Sequence, residues 1–195
     1  SPTNDGLTIL IVFWPNAAFA QVSADVERAY MAAVDLAPGL AERVRAGRRA
    51  ERFHGTADLP FFFRKPHGPG WALVGDAGYH KDPITAQGIA DAFRDAELLA
   101  DAVDDGLSGR RPLEDALADY QRCRDEAVRP IYEMTYQFAS LQPPPLEQQQ
   151  LLAALQHDQA QADRFFGTIA GTVPIPEFFS PENVARIMGG GAAAA

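Results

Sequence analysis

The chain is poor in cysteine, in basic residues and in long apolar runs. Its one cysteine, Cys123, excludes an internal disulfide and fits a buried structural thiol in a reducing cytoplasm. The 17 basic residues are outnumbered by 26 acidic ones, and the net charge of −9 argues against nucleic acid and anionic membranes as partners. No apolar run approaches the roughly 20 residues that a membrane span needs. The histidines show no metal-ligand spacing, so we assign no metal.

The apolar patterns and helix-start signals along the chain predict an α+β fold, with its strands in the first half and mainly helices in the second. We expect strands at 7–14, 49–55, 59–65 and 71–74, and early helices at 24–36, with Ser23 as the N-cap, and 39–46. The second half is predicted to be helical, from Pro112 at a first-turn position to about Phe138, at about 146–166 and from Ser180 onward. With 47% hydrophobic residues, the 195-residue chain can bury a core of its own.

The most informative segment lies at 71–104. A short apolar run predicts a buried strand, and it delivers Gly75 and Asp76 at its carboxyl end, where open α/β sheets bind ligands. A loop containing Pro83 follows, and then a helix begins near Gly88. Its apolar positions fall on one helical face, which we expect to be the buried one, with the acids on the other. These positions are Ile89, Ala92, Phe93, Ala96, Leu99, Ala100 and Val103.

A strand, an acid and a helix N-terminus in this order suit a particular ligand chemistry. The Asp76 carboxylate can accept hydrogen bonds from a polyol, and the free amides of the first helical turn favour partial negative charge. The glycine at position 88 leaves those amides unobstructed. FAD has both complements, in its ribityl chain and in the N1–C2=O edge of its ring.

The string GDAGYHKDPITAQGIADAFRDA resembles the second flavin-binding motif of the group A flavoprotein monooxygenases, which have the aromatic-hydroxylase fold. Eight positions fall on that motif without a gap: Gly75, Asp76, Ala77, Pro83, Gly88, Ala92, Asp95 and Ala96. The resemblance implies that Asp76 binds the ribityl hydroxyls and that Pro83 lies near the reactive flavin edge. It further implies that the amides of Gly88 and Ile89 face N1 and O2, and that FAD is the cofactor.

The chain departs from the family pattern at three places. Gly78 stands where Ala is usual, Thr85 stands where Gly is frequent, and Tyr79-His80 replaces a single His. These departures indicate a subfamily, and they leave the substrate more open than the cofactor.

The first half of the family's cofactor site is a βαβ unit with a G-x-G-x-x-G sequence, which none of the 16 glycines forms. We therefore expect the carboxyl-terminal portion of a flavoprotein, with the amino-terminal Rossmann-type half of the same protein absent and acting as its partner. The expected parts are the end of the substrate-domain sheet at 1–70, the flavin motif at 71–106, a helical region at 107–188 and a tail at 189–195.

His80 and Lys81 are the candidate catalytic residues, for proton transfer and for offsetting charge on a reduced flavin. The alternative is a solvated loop in which Lys81 pairs with the neighbouring Asp82. Three consecutive aromatic residues, Phe61, Phe62 and Phe63, either wall a substrate pocket or belong to the core.

The function that the resemblance implies is an FAD-dependent monooxygenase that uses NAD(P)H and O2 on a small organic substrate. A flavin-dependent reductase or halogenase of the same fold is an alternative. A non-catalytic helical interaction module with a relic flavin motif is an alternative from another class. The oligomeric state stays open.

Overall fold

A computed structural model describes residues 1–190 as a mostly helical chain with two short antiparallel strand pairs. The α+β class is therefore confirmed in its coarse form. The chain divides into two units, Ser1–Leu59 and a second that begins at Pro60. Most of the tail predicted at 189–195 lies outside the described residues.

The first unit contains three short helices: α1 at Phe19–Ala24, α2 at Val26–Val34 and α3 at Pro38–Ala46. The prediction of one helix at 24–36 is wrong because Asp25 interrupts it and caps α2, its side chain accepting a hydrogen bond from the Arg28 amide at 3.1 Å. Ser23 is not the cap, since its hydroxyl donates to the Ala20 carbonyl within α1. The helix predicted at 39–46 is confirmed.

The strands predicted at 7–14 and 49–55 are absent from the described chain. Within 1–59, pairing is limited to one bridge between Pro2 and Thr8, across a turn in which Asp5 is left-handed. The carbonyl oxygen of Leu10 accepts a hydrogen bond from the Tyr30 hydroxyl instead of a strand amide. A lone extended segment without a neighbouring strand cannot form a ladder, whatever its side-chain pattern.

The second unit carries both strand pairs. Strand β1 at Phe62–Phe63 pairs antiparallel with β4 at Tyr79–His80, and β2 at His67–Gly68 pairs with β3 at Trp71–Ala72. The strands predicted at 59–65 and 71–74 therefore shrink to two residues each. Beyond β3, the Leu73 amide still donates to the Pro66 carbonyl, which extends the hairpin by one hydrogen bond.

Two long helices, α4 at Gly88–Leu107 and α5 at Leu113–Ala139, pack against each other. Helix α5 continues through Pro130. The helix predicted at 146–166 is interrupted by Asp158, whose side chain caps the second part by accepting from the Gln161 amide. The remaining helices are α6 at Leu146–Leu155, α7 at Gln159–Ile169, α8 at Ile175–Phe178 and α9 at Pro181–Gly190.

Helix α4 buries two of its acids, and the predicted burial of its apolar face holds only in part: Leu99 and Val103 are half-buried against a core cluster. Asp91 and Asp95 are 2% and 0% exposed, whereas Ile89 and Phe93 are 77% and 75% exposed. The helix has a second, mixed stripe in which Ala102 joins these acids, and that stripe faces α5. The exposed positions form what we call the outer stripe of α4: Ile89, Phe93, Ala96, Ala100 and Leu107.

Helix α5 also buries polar side chains. Arg124 and Thr135 are fully buried on the face that buries Leu117, Tyr120 and Ile131. Cys123 is only half-buried, so the expectation of a buried thiol is wrong. None of the helices in residues 1–190 combines the length and apolar character that a bilayer crossing requires.

The loop before α4 contains a strained residue that gives a stability prediction. Ala86 has a φ of 55°, in the left-handed region that costs a residue with a Cβ roughly 1–2 kcal/mol. We expect Ala86→Gly to raise the free energy of unfolding by about 1 kcal/mol, measured by urea denaturation.

The control is Ala100→Gly at an exposed position inside α4, which should lower the same free energy by about 1 kcal/mol. A loss of stability in both variants would contradict the left-handed conformation at Ala86.

Candidate functional site

The turn at Gly75–Ala77 brings Asp76 to the surface. After β3 the chain forms a short 3-10 turn, and Gly75 adopts a φ of 53°. A Cβ on Gly75 would lie 3.0 Å from the Cβ of Ala92, so both the backbone conformation and the close approach to α4 require glycine here. Asp76 is exposed at the tip of this turn, as a ligand-binding role requires.

Asp95 ties the turn to α4. Its carboxylate is fully buried, and Oδ2 accepts a hydrogen bond from the Gly75 amide at 3.2 Å. Asp95 therefore holds in place a residue that lies twenty positions earlier in the chain, Gly75, which directly precedes Asp76.

Four charged side chains, Lys81, Asp91, Arg94 and Asp95, form what we call the buried ionic cluster. The Lys81 ammonium pairs with Asp91, and Arg94 reaches Asp91 at 2.9 Å and Asp95 at 3.0 Å. Arg94 also donates to the Tyr79 hydroxyl at 2.8 Å. Burial and the charges of Asp91 and Asp95 raise the pKa of Tyr79, which keeps its phenol protonated. The cluster balances two positive charges against two negative ones.

The start of α4 lies beside Asp76. Oδ1 of Asp76 is the nearest atom to the position that a Cβ on Gly88 would take, at 3.8 Å. Gln87, the residue before the helix, does not use its side chain as a cap, because its amide group donates to the carbonyl oxygens of Thr85 and Ile169. A carboxylate and an uncapped helix N-terminus therefore lie next to each other at an exposed position, with Ile89 also exposed.

The loop that carries Pro83 is held by hydrogen bonds from side chains on either side of it. Asp82 accepts from the Ile84 amide at 2.9 Å, and Pro83 opens a 3-10 turn that ends at Thr85. The Thr85 hydroxyl lies 2.8 Å from that of Thr135 on α5. Pro83 itself is exposed.

The departure from the family pattern at Gly78 has a steric cause. A Cβ at this position would lie 2.9 Å from Nη1 of Arg124, which is fully buried. Arg124 cannot retreat freely, because its Nε and Nη2 donate to Asp125 and its Nη2 also donates to the Arg64 carbonyl. The glycine makes room for this arginine.

The two candidate catalytic residues face different surroundings. Nδ1 of His80 lies 2.6 Å from the Pro60 carbonyl oxygen, so this nitrogen carries the hydrogen and Nε2 is left as the basic one. Lys81 is buried in the ionic cluster. The alternative in which Lys81 pairs with Asp82 in a solvated loop is wrong, because α4 supplies the partner.

The three consecutive aromatic side chains are half-buried and divide between two faces. Phe61 and Phe63 contact Tyr132 on α5 edge to face, with centroids 5.5 and 5.3 Å apart, and Phe63 also stacks on Tyr79. Phe62 stacks on His80. Phe63 packs against a buried cluster, whereas a role of any of the three in a substrate pocket stays a prediction.

A cavity of about 280 Å³ lies between α4, α5 and the segment that joins α7 to α8. Asp91 and Arg94 of the ionic cluster line it together with Gln87, and apolar side chains including Ile131 and Ile175 complete the wall. Within residues 1–190, His, Cys, Asp and Glu side chains form no group that could hold a metal ion.

Sequence reasoning missed the residues that hold the motif from outside it. Arg124 and Thr135 belong to a different helix, and nothing in the local pattern connects them with the loop. Asp91 and Arg94 did carry a signal, since acid and base three positions apart on a helix can form an ion pair.

The comparisons with known proteins give one informative similarity. The chain is 31% identical over 99 residues to a tryptophan 2-halogenase of Chondromyces crocatus, an alignment that covers 50% of this chain. It spans only 19% of the halogenase, or about a fifth of that protein's length. No protein-family model matches the chain, and no solved structure matches it significantly.

The contact between Gly78 and Arg124 gives a prediction that two substitutions together can test. Gly78→Ala should lower the free energy of unfolding by about 1–3 kcal/mol, because the added methyl group overlaps a buried guanidinium. In an Arg124→Met background the same substitution should cost much less, since methionine has no atom at the Nη1 position.

Urea denaturation of the four proteins of this cycle gives the coupling energy. Equal costs of Gly78→Ala in both backgrounds would show that the glycine is not required by Arg124.

Proposed function

We propose that the turn at Asp76 and the start of α4 bind the ribityl chain and ring edge of FAD, and that the chain is part of an FAD-dependent oxidoreductase. One observation carries this proposal: the Asp76 carboxylate lies 3.8 Å from the Cβ position of Gly88, beside an uncapped helix N-terminus. Two kinds of ligand group, hydroxyls and an electron-rich edge, are recognised by this pair.

The residues present fit that cofactor. Asp76 is exposed and, as a carboxylate, accepts hydrogen bonds from ribityl hydroxyls. The amides of Gly88 and Ile89 lie in the first turn of a 20-residue helix, whose N-terminal partial positive charge stabilises negative charge at the ring edge. Pro83, exposed on the loop between them, is placed by Asp82 and Thr135. Bound FAD would supply the redox chemistry.

His80 keeps its proposed role in proton transfer, whereas the proposed role of Lys81 changes. Since Nδ1 of His80 donates to Pro60, any proton that His80 takes up is held at Nε2. Lys81 is already neutralised by Asp91 inside the protein. We therefore expect it to act mainly by holding the loop in place.

The type of oxidoreductase has three candidates within one fold. The motif favours an NAD(P)H- and O2-dependent monooxygenase acting on a small organic molecule. The similarity to a tryptophan 2-halogenase favours a flavin-dependent halogenase with an aromatic substrate. A flavin-dependent reductase is the third.

The outer stripe of α4 bears on the remaining alternative, a non-catalytic helical module. Ile89, Phe93 and Leu107 are each at least 75% exposed, and apolar side chains exposed along one stripe are typical of an interaction surface. In the flavoprotein proposal, an amino-terminal Rossmann-type half covers this stripe and completes the cofactor site. In the module alternative, an unrelated partner covers it and no flavin binds.

Asp76→Ala separates these alternatives in the full-length product of the gene that encodes this chain. We expect the FAD dissociation constant to rise about 10- to 100-fold, because a charge-assisted hydrogen bond is lost, with little change in melting temperature. Flavin absorbance after gel filtration and fluorescence titration measure it. Asp101→Ala, which removes an exposed acid farther along α4, is the matched control.

The flavoprotein proposal fails if the wild-type protein neither holds nor binds FAD. It also fails if Asp76→Ala binds FAD as tightly as Asp101→Ala does.

Gly88→Val tests the ring-edge contact separately. The Cβ alone would reach van der Waals contact with Asp76, and the two γ-methyl groups extend further into the space in front of the helix. We expect FAD binding to weaken at least tenfold, by the same titration, because the amides are no longer accessible. Gly39→Val, at the start of α3 where a Cβ meets no atom within 4 Å, is the control and should bind FAD normally.

A further inference from the structure

We infer that Thr135, near the carboxyl end of α5, is a positioning residue that sets where the first-turn amides of α4 lie relative to the flavin. This inference rests on the proposed function. It concerns a helix that lies outside the flavin motif and that contacts the loop before α4.

The contact between Thr135 and Thr85 is a buried hydrogen bond with a defined direction. Thr135 is 0% and Thr85 4% exposed, and their hydroxyl oxygens are 2.8 Å apart. The Thr135 hydroxyl donates to the Ile131 carbonyl at 2.6 Å, which uses its only hydrogen. The Thr85 hydroxyl must therefore donate to Thr135, so α5 provides the acceptor and the loop provides the donor.

Thr85 is fixed at its backbone as well as at its side chain. Its carbonyl oxygen accepts a hydrogen bond from the Gln87 side chain at 3.0 Å, and the same amide group donates to the Ile169 carbonyl at the end of α7. Loop, α5 and α7 are thus joined immediately before the flavin-facing helix.

Only Ala86 and Gln87 separate Thr85 from Gly88, and Ala86 is held in a left-handed conformation. Such a short, strained connection has few alternative paths, so a displacement of Thr85 is passed on to the helix start. The hydrogen bond to Thr135 opposes that displacement.

The hydrogen bond depends on the residue type that this chain has at position 85. A glycine, which the family pattern often has there, has no hydroxyl to donate. The hydrogen bond between the loop and α5 therefore requires threonine, or another hydroxyl side chain, at both position 85 and position 135.

The test compares Thr135→Val, which keeps the shape and removes the hydroxyl, with Thr135→Ser, which keeps the hydroxyl. Both are made in the full-length gene product, and FAD binding and the flavin absorption spectrum are measured. We expect Thr135→Val to raise the FAD dissociation constant about tenfold and to shift the flavin absorption bands. Thr135→Ser should keep the wild-type dissociation constant and spectrum.

Thr168→Val is the matched control for stability. Thr168 is also a buried helical threonine, but its hydroxyl donates to the Phe165 carbonyl of its own helix. Thr168→Val should lower the melting temperature without shifting the flavin absorption bands. If Thr135→Val does not fold, Thr85→Val removes the same hydrogen bond from the loop side and should show the same flavin effects.

The outcomes are distinguishable. Wild-type protein that binds no FAD would overturn the proposed function and this inference together. Wild-type binding with an unchanged dissociation constant and spectrum in both valine variants would overturn the positioning role alone. A weakening that Thr135→Ser does not restore would likewise contradict it, because a lost hydroxyl would not be the cause.

Discussion

The pairing of Asp91 and Asp95 with Lys81 and Arg94 is the interaction on which the candidate site depends. Charged groups taken out of water cost several kcal/mol each unless their partners are well placed. Lys81, Asp91 and Asp95 are buried and Arg94 is partly exposed, so the three buried groups admit few arrangements. Lys81 directly follows β4, and both acids lie on α4. Asp95 also accepts a hydrogen bond from the Gly75 amide. Satisfying the cluster therefore fixes strand, turn and helix together, and Asp76 takes its position from its neighbours.

The same constraint decides which side of α4 is inside. Two charged residues are buried because each has a partner there, and the helix is consequently rotated so that Ile89 and Phe93 face outward. Two surfaces result, a polar one that organises the loop and an apolar one beside the proposed ring-edge contact. The buried ion pairs therefore set the orientation of the helix whose first turn carries the proposed flavin contacts, the amides of Gly88 and Ile89.

The sequence was informative where local rules suffice and uninformative where distant residues decide. The start of α4, the exposed acid at Asp76 and the helix beginning at Pro181 followed from spacing and from helix-start signals. The strand expected at 7–14 failed because a strand needs a partner that its own pattern cannot reveal. The buried face of α4 was misjudged because periodicity finds stripes but does not show that acids on one of them are paired. Thr135 had no local signal at all.

A crystal structure of the full-length gene product grown with FAD tests the central claim most directly. The account predicts ribityl hydroxyls within hydrogen-bond distance of the Asp76 carboxylate and the pyrimidine edge of the ring facing the amides of Gly88 and Ile89. It also predicts that the buried ionic cluster stays intact beneath them. FAD bound elsewhere, or an Asp76 side chain turned to a protein partner with α4 capped by another residue, would contradict it.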